Sequence, residues 1–324
     1  MEQRMRSVIP GIAFLLVGTG SAIAQSQPLP TEQVTVTGAR EAAISKFISS
    51  RAAATRMTGK IARWRVPICP VVYGIPQAYA DFTIRQVREV GTSIGAPVDA
   101  DENCRGNIQI VFTTAPQALL DNIRLKYRYY LGYHDNTRQA DAMTRLKRPI
   151  HAFYTTTTTD MRGNRQLDSS RTTGIKIDLP GVVMGGGGNP LPSGGQMVTL
   201  NLPGASAMSV TGSRFMSDGL SSDFANIVMV VDSEKVKDLD MGALSDNIAM
   251  LALSQPLDFD ICQDLPSIAN LMISPACHPA NTPTALSVHD LAYLQGLYKS
   301  QIDGAGRMQK AQIIYQMKQT QQAE

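Results

Sequence analysis

Between Arg63 and Thr159 the chain alternates in type, and this alternation limits its fold more than any other feature. Arg63–Tyr73 gathers β-branched and aromatic residues around Cys69 and reads as extended. Pro76 then opens a run whose apolar positions Tyr79, Phe82, Ile84, Val87 and Val90 recur at near-helical spacing, closed by Gly95 and Pro97. Asn107–Thr113 reads as a strand, and Pro116 opens a second helix through Lys126. His151–Thr159, with five consecutive threonines, has the strongest strand composition in the chain. Strand, helix, strand, helix, strand implies an α+β fold: a mixed sheet with helices packed on it.

The segments on either side differ. Arg4 and Arg6, the apolar run Ile12–Val17 and the small-residue pattern Ala22-Ile23-Ala24 form an export signal over residues 1–24. Residues 25–45 read as a flexible, polar leader in which Val34 and Val36 alternate as in a short strand. Residues 46–320 are expected to form one α+β domain, with a subdivision possible near 180–220. There, ten glycines fall within forty residues, including Gly185–Gly188, and short strand patterns survive at Met197–Leu202 and Met208–Thr211. That composition fits a hairpin with a long tip, or an interdomain linker. Further on come a buried-type strand, Asn226–Asp232, an apolar helix, Met241–Leu253, a helix N-capped by Ser287, and a last polar helix reaching about Gln319.

The Val36-Thr37-Gly38-Ala39-Arg40 run resembles the start of the plug domain of TonB-dependent outer-membrane transporters. A chain of 324 residues is too short for the barrel of those transporters. The resemblance therefore implies a Gram-negative envelope location, periplasmic or secreted, and not transport.

Charge and cysteines agree with export. Losing residues 1–24 removes Glu2, Arg4 and Arg6, so the net charge of +3 becomes +2. So small a charge supplies no field for gathering nucleic acid. Beyond the signal, no apolar run is long enough to span a membrane. The four cysteines, even in number, are expected to pair as Cys69–Cys104 and Cys262–Cys277, each pair within its own half of the chain. Zinc sites need closer cysteine spacing than this.

Local motifs carry little chemistry. Gly91-Thr-Ser93-Ile-Gly95 matches a nucleophile elbow, but a helical run precedes Ser93 where a strand is required. Gly185–Gly188 is followed by Asn189-Pro190 and not by the Lys-Ser/Thr of a phosphate loop. Asp99, Asp101 and Asn103 open like a calcium loop, yet Cys104 takes the glycine position and Ile110 the final carboxylate. No two of His134, His151, His278 and His289 share helical i, i+4 spacing. The most suggestive surface is a basic stretch, Arg124, Lys126, Arg128, Arg138, Arg145, Lys147 and Arg148, interleaved with Tyr127, Tyr129, Tyr130 and Tyr133. Cations beside aromatic rings suit a polyanion or a glycan.

The order strand 226–232, helix 241–253, cysteine-bearing loop, then Leu286, Ser287, Asp290, Leu294, Leu297 and Tyr298 resembles the late part of secreted zincin-like metalloproteases. In that family the helix carries His-Glu-x-x-His; here it reads Ser245-Asp-Asn-Ile-Ala-Met250, with no histidine or glutamate. The resemblance thus implies a zincin-like arrangement without its metal site, so no catalytic or metal residue carries over and no cofactor is expected. Two functions follow: an exported, non-catalytic envelope protein that binds or scaffolds an envelope protein or glycan, or a secreted hydrolase whose site gathers dispersed residues, with His134, Asp135, His151 and His289 as candidates.

Overall fold

The computed structural model describes residues 31–168, 173–179, 196–202, 217–273 and 276–322. The chain divides into two units, residues 1–39 and 40–324. Helix α1, Thr31–Arg51, occupies the place where Val34 and Val36 suggested a strand. From Arg40 onward the reason is visible, because Ile44, Phe47 and Ile48 are buried at i, i+3 and i+4, a helical stripe. Ile44 also places part of the expected leader in the core.

In residues 40–324 a five-stranded sheet runs in the order β1-β2-β7-β3-β4. Its strands are β1 (Pro70–Tyr73), β2 (Ile108–Thr113), β7 (Ser221–Asp232), β3 (Ile150–Thr159) and β4 (Arg165–Leu167). β1, β2 and β7 are parallel, while β3 pairs antiparallel with both β7 and β4. The fold is therefore α+β with a mixed sheet. Of the extended stretch 63–73, only Pro70–Tyr73 is a strand; Arg63 and Ile68 make single bridges. A separate antiparallel pair, β5 (Thr173–Leu179) and β6 (Gln196–Leu202), flanks the glycine run. Gly185–Gly188 and Met208–Thr211 lie outside the described residues.

The alternation of the central strands sorts their side chains to two unequal layers. Ile108, Ile110 and Phe112 of β2, with Ile227, Met229 and Val231 of β7, enter the larger core. That core also holds residues of α1, α2 (Gln77–Ile94), α6 (Met241–Leu253), α7 (Val288–Lys299) and α8 (Gly306–Gln322). The opposite face presents Val228, Val230 and Phe153 to a smaller cluster. Leu120 and Ile123 of α3 (Pro116–Lys126), Leu131, and Ala140 of α4 (Thr137–Met143) complete it. A short helix, α5 (Ser233–Val236), follows β7.

The threonine run acquires a purpose at the sheet edge. Thr156 and Thr158 donate to the two oxygens of buried Asp168 at 2.6 and 2.7 Å, and Thr159 donates to buried Asp223 at 2.6 Å. Burial raises the pKa of both carboxyl groups, opposed by those hydroxyl donors. The two disulfides are Cys69–Cys104, beside β1, and Cys262–Cys277, closing the loop after α6.

Candidate functional site

The residues that the zincin resemblance singles out are structural. Ser287 and Asp290 form a capping box at the start of α7, and Asp290 also accepts from Ser267 and from the Ile268 amide. Leu294 and Leu297 are core residues, and the Tyr298 hydroxyl donates to the Leu253 carbonyl. On α6, residues 243–253 are all buried. Asp246 accepts from Gln86 and from the Leu286 amide, and Asn247 donates to the Ile268 carbonyl. Asn247, Met250 and Leu251 of this helix border a small cavity, of about 30 Å³, whose lining holds no histidine or glutamate. Among the described residues no group of three His, Cys, Asp or Glu side chains could hold a metal ion.

Ser93 lies inside α2 and donates to the Val90 carbonyl, so the elbow pattern is a helix end; Gly95, at φ 82°, caps it. Asp99 and Asp101 accept from the amides two residues on, an acidic turn leading into Cys104.

The larger openings lie along β3 and on the other face of the sheet. One cleft, of about 480 Å³, is lined by Arg56, Tyr133, Asp135, Arg148 and His151 among others. A second, of about 890 Å³, is lined by Lys126, Arg128, Tyr129, His134, Asp135 and Asn136 among others. Both include Asp135 and Asp168, so the two adjoin. The segment after the 3₁₀ turn Arg128–Leu131 brings them together. Gly132 sits at φ 75°, and a Cβ there would overlap the Tyr154 carbonyl oxygen, so only glycine lets the loop run so close to β3. Asn136 then caps α4 through the Gln139 amide, while the Gln139 side chain accepts from the Asp135 amide.

Of the hydrolytic candidates, Asp135 lines both clefts, with His151 in the smaller and His134 in the larger, but both histidines are engaged locally. The His151 Nε2 accepts from the Lys147 amide at 3.1 Å, and the ring donates to the Met143 carbonyl. Burial, with Arg148 nearby, lowers its pKa to about 4, so it stands neutral with its hydrogen-bonding capacity used locally. The His134 Nδ1 donates to the Gly132 carbonyl at 3.0 Å, pinning the same loop. Asp135 is exposed, with Arg56 3.9 Å away. His289, on α7, lines neither cleft.

The basic stretch separates into two groups. Arg124 is taken up by Asp141 at 3.0 Å, and Arg148 by Asp260, with its guanidinium also over the Phe259 ring. Arg138, Arg145 and Lys147 are exposed but line neither cleft. Tyr130 is half-buried against the smaller cluster. Lys126 and Arg128 remain, both exposed in the larger cleft and without an ion-pair partner among the described residues. Between them and Asp135 stands Tyr129, 57% exposed, its ring centroid 4.1 Å from that of Tyr130. A hydrogen bond with Tyr130 helps push its pKa up to about 12, so the hydroxyl stays protonated.

Asp168 went unnoticed in the sequence. The turn Asp160–Asn164 is the signal that could have found it, since pairing across that hairpin sets residue 168 against Thr156. No family model, curated protein or solved structure matches the chain.

Proposed function

We propose that the chain is an exported, non-catalytic binding protein whose ligand is a glycan of the cell envelope. The observation that carries this reading is the exposed Tyr129 ring in the 890 Å³ cleft, with Lys126, Arg128, Asp135 and Asn136 around it. A flat ring offers stacking to a sugar face, and side chains of mixed polarity suit hydroxyl groups that both donate and accept. Asp135 in the same wall offers an acceptor to a sugar hydroxyl. Export is supported by the signal pattern of residues 1–24, by two disulfides and by the lack, among the described residues, of any helix long and apolar enough to cross a membrane.

A secreted hydrolase is the second reading, and Asp135 with Asp168 in both clefts is what favours it. Against it, both Asp168 oxygens are occupied by threonine hydroxyls and His151 is spent on backbone groups. Titration calorimetry against a panel of bacterial envelope oligosaccharides tests the proposal. The wild type should bind at least one of them, and Tyr129→Ala should weaken that binding about tenfold, the order of one lost stacking contact. A saccharide cut into shorter products would instead support hydrolysis.

A further inference from the structure

Beyond the two clefts, the same face of the sheet has a groove of about 470 Å³, lined by Arg105, Gln109, Tyr130 and Asn226 among others. Its position follows from the strand pattern. Gln109 and Asn226 alternate with the core-facing Ile108, Ile110 and Ile227, so both point to the thin layer. That layer covers Val228 and Val230 with Leu120, Ile123 and Leu131, and the groove opens at the adjoining Asn226. A bulge in β7 lies at the same place: Thr155 pairs with Asn226 but Thr156 with Phe224, leaving Ala225 as the extra residue. Bulges of this kind re-aim neighbouring side chains.

The polar groups of the groove are not satisfied within the chain. Asn226 Oδ1 is buried and has no hydrogen-bond partner among the described residues. Such an acceptor normally has a partner, and leaving it unmade costs stability. Arg105 is exposed and has no ion-pair partner among the described residues. Gln109 donates one amide hydrogen to the Gly106 carbonyl at 3.2 Å, which orients its side chain and leaves its oxygen to accept. The groove therefore presents two acceptors that call for hydroxyl donors, and one cation that calls for an anionic oxygen. Its connection to the larger cleft is the tyrosine pair: Tyr130 lines the groove, Tyr129 lines the cleft, and their rings lie 4.1 Å apart.

We infer that the groove is a second subsite for the same ligand, taking a carboxylate-bearing sugar residue of a chain that crosses the Tyr129–Tyr130 pair. The inference rests on the glycan reading and narrows it to an acidic glycan several residues long. Arg105 would hold the carboxylate, while Asn226 and Gln109 accept from ring hydroxyls. Lys126 and Arg128 serve acidic residues at the other end.

Calorimetry with galacturonate oligomers of two and six residues, and with the neutral glucose hexamer, separates the outcomes. The acidic hexamer should bind the wild type more tightly than either other probe. Arg105→Ala should weaken the acidic hexamer about tenfold, as loss of one charge-assisted hydrogen bond implies, and leave the dimer unaffected. Asn226→Leu should weaken the hexamer too without lowering thermal stability, because an unpaired acceptor is replaced by hydrocarbon of similar size. Hexamer binding insensitive to both substitutions, or equal affinity for dimer and hexamer, would overturn the second subsite and leave the cleft reading standing. No binding of any saccharide would overturn both.

Discussion

The two faces of the central sheet make a contrast in what each is built to do. One is sealed by α1, α2, α6, α7 and α8 over a large apolar core. The other has, among the described residues, α3, a 3₁₀ turn and α4 over a cluster of seven buried residues, and the openings with an exposed tyrosine ring, or with a cation lacking an ion-pair partner among those residues, lie there. The sealed side includes the helix where a zincin would keep its metal ligands, and there Asp246 and Asn247 make hydrogen bonds to neighbouring segments. The thin side cannot cover the sheet, and that incompleteness leaves polar groups and a tyrosine ring open to a ligand. On the proposed reading, stability and binding fall to opposite faces.

The contrast breaks most readily on the sealed side. Leu253→Ala, at a fully buried position, should cost about 3–5 kcal/mol in denaturant unfolding, and Leu120→Ala on the thin side about 2 kcal/mol, because a site beside open clefts relaxes more easily. Equal costs would mean that the two layers are equally packed. Next in size is the acid effect of His151. His151 titrates near 4 when folded against 6.5 when unfolded, so the unfolded chain binds the extra proton between those values. Its stabilising contribution is complete above pH 6.5 and is lost on acidification towards pH 4, on the order of 3 kcal/mol. Asp290 in the sealed core, and Asp168 and Asp223 at the threonine run, have their pKa values raised by burial and so change stability in the opposite sense, which is why the variant is needed to isolate His151. Unfolding curves at pH 7 and pH 4.5 for the wild type and His151→Leu should show the acid loss shrinking in the variant.

Opening the Cys262–Cys277 loop with paired serine substitutions should cost about 3 kcal/mol, as expected for a closed loop of this length, without changing ligand affinity. The smallest stability effect belongs to Tyr129→Ala, an exposed ring, at under about 0.5 kcal/mol, and it should be the change most damaging to binding. If that variant unfolds the protein, the ring belongs to the core after all.

Much of this division could be read along the chain, because the strongest signals are local. Pro116 and Lys126 bound α3, Met241 and Leu253 bound α6, and Ser287 caps α7, all as their capping residues and apolar periods indicate. The start of α1 misled, since Val34 and Val36 carry strand propensity while the helical stripe that fixes the element, Ile44, Phe47 and Ile48, lies later. The basic stretch was legible as a surface feature, but which of its cations lack an ion-pair partner among the described residues was not. Asp260 lies 112 residues from the Arg148 it neutralises, and no spacing announces such a partner. Asn226 and Arg105 were equally hidden, for they meet only through the parallel pairing of β2 with β7 and the bulge that follows.

Hydrogen exchange, compared with and without the acidic hexamer, tests the division of labour most directly. The account predicts slowed exchange at residues 125–137 and 105–109, with α6 and α7 unchanged. Protection appearing on α6 and α7 while the Tyr129 segment stays unaltered would contradict it.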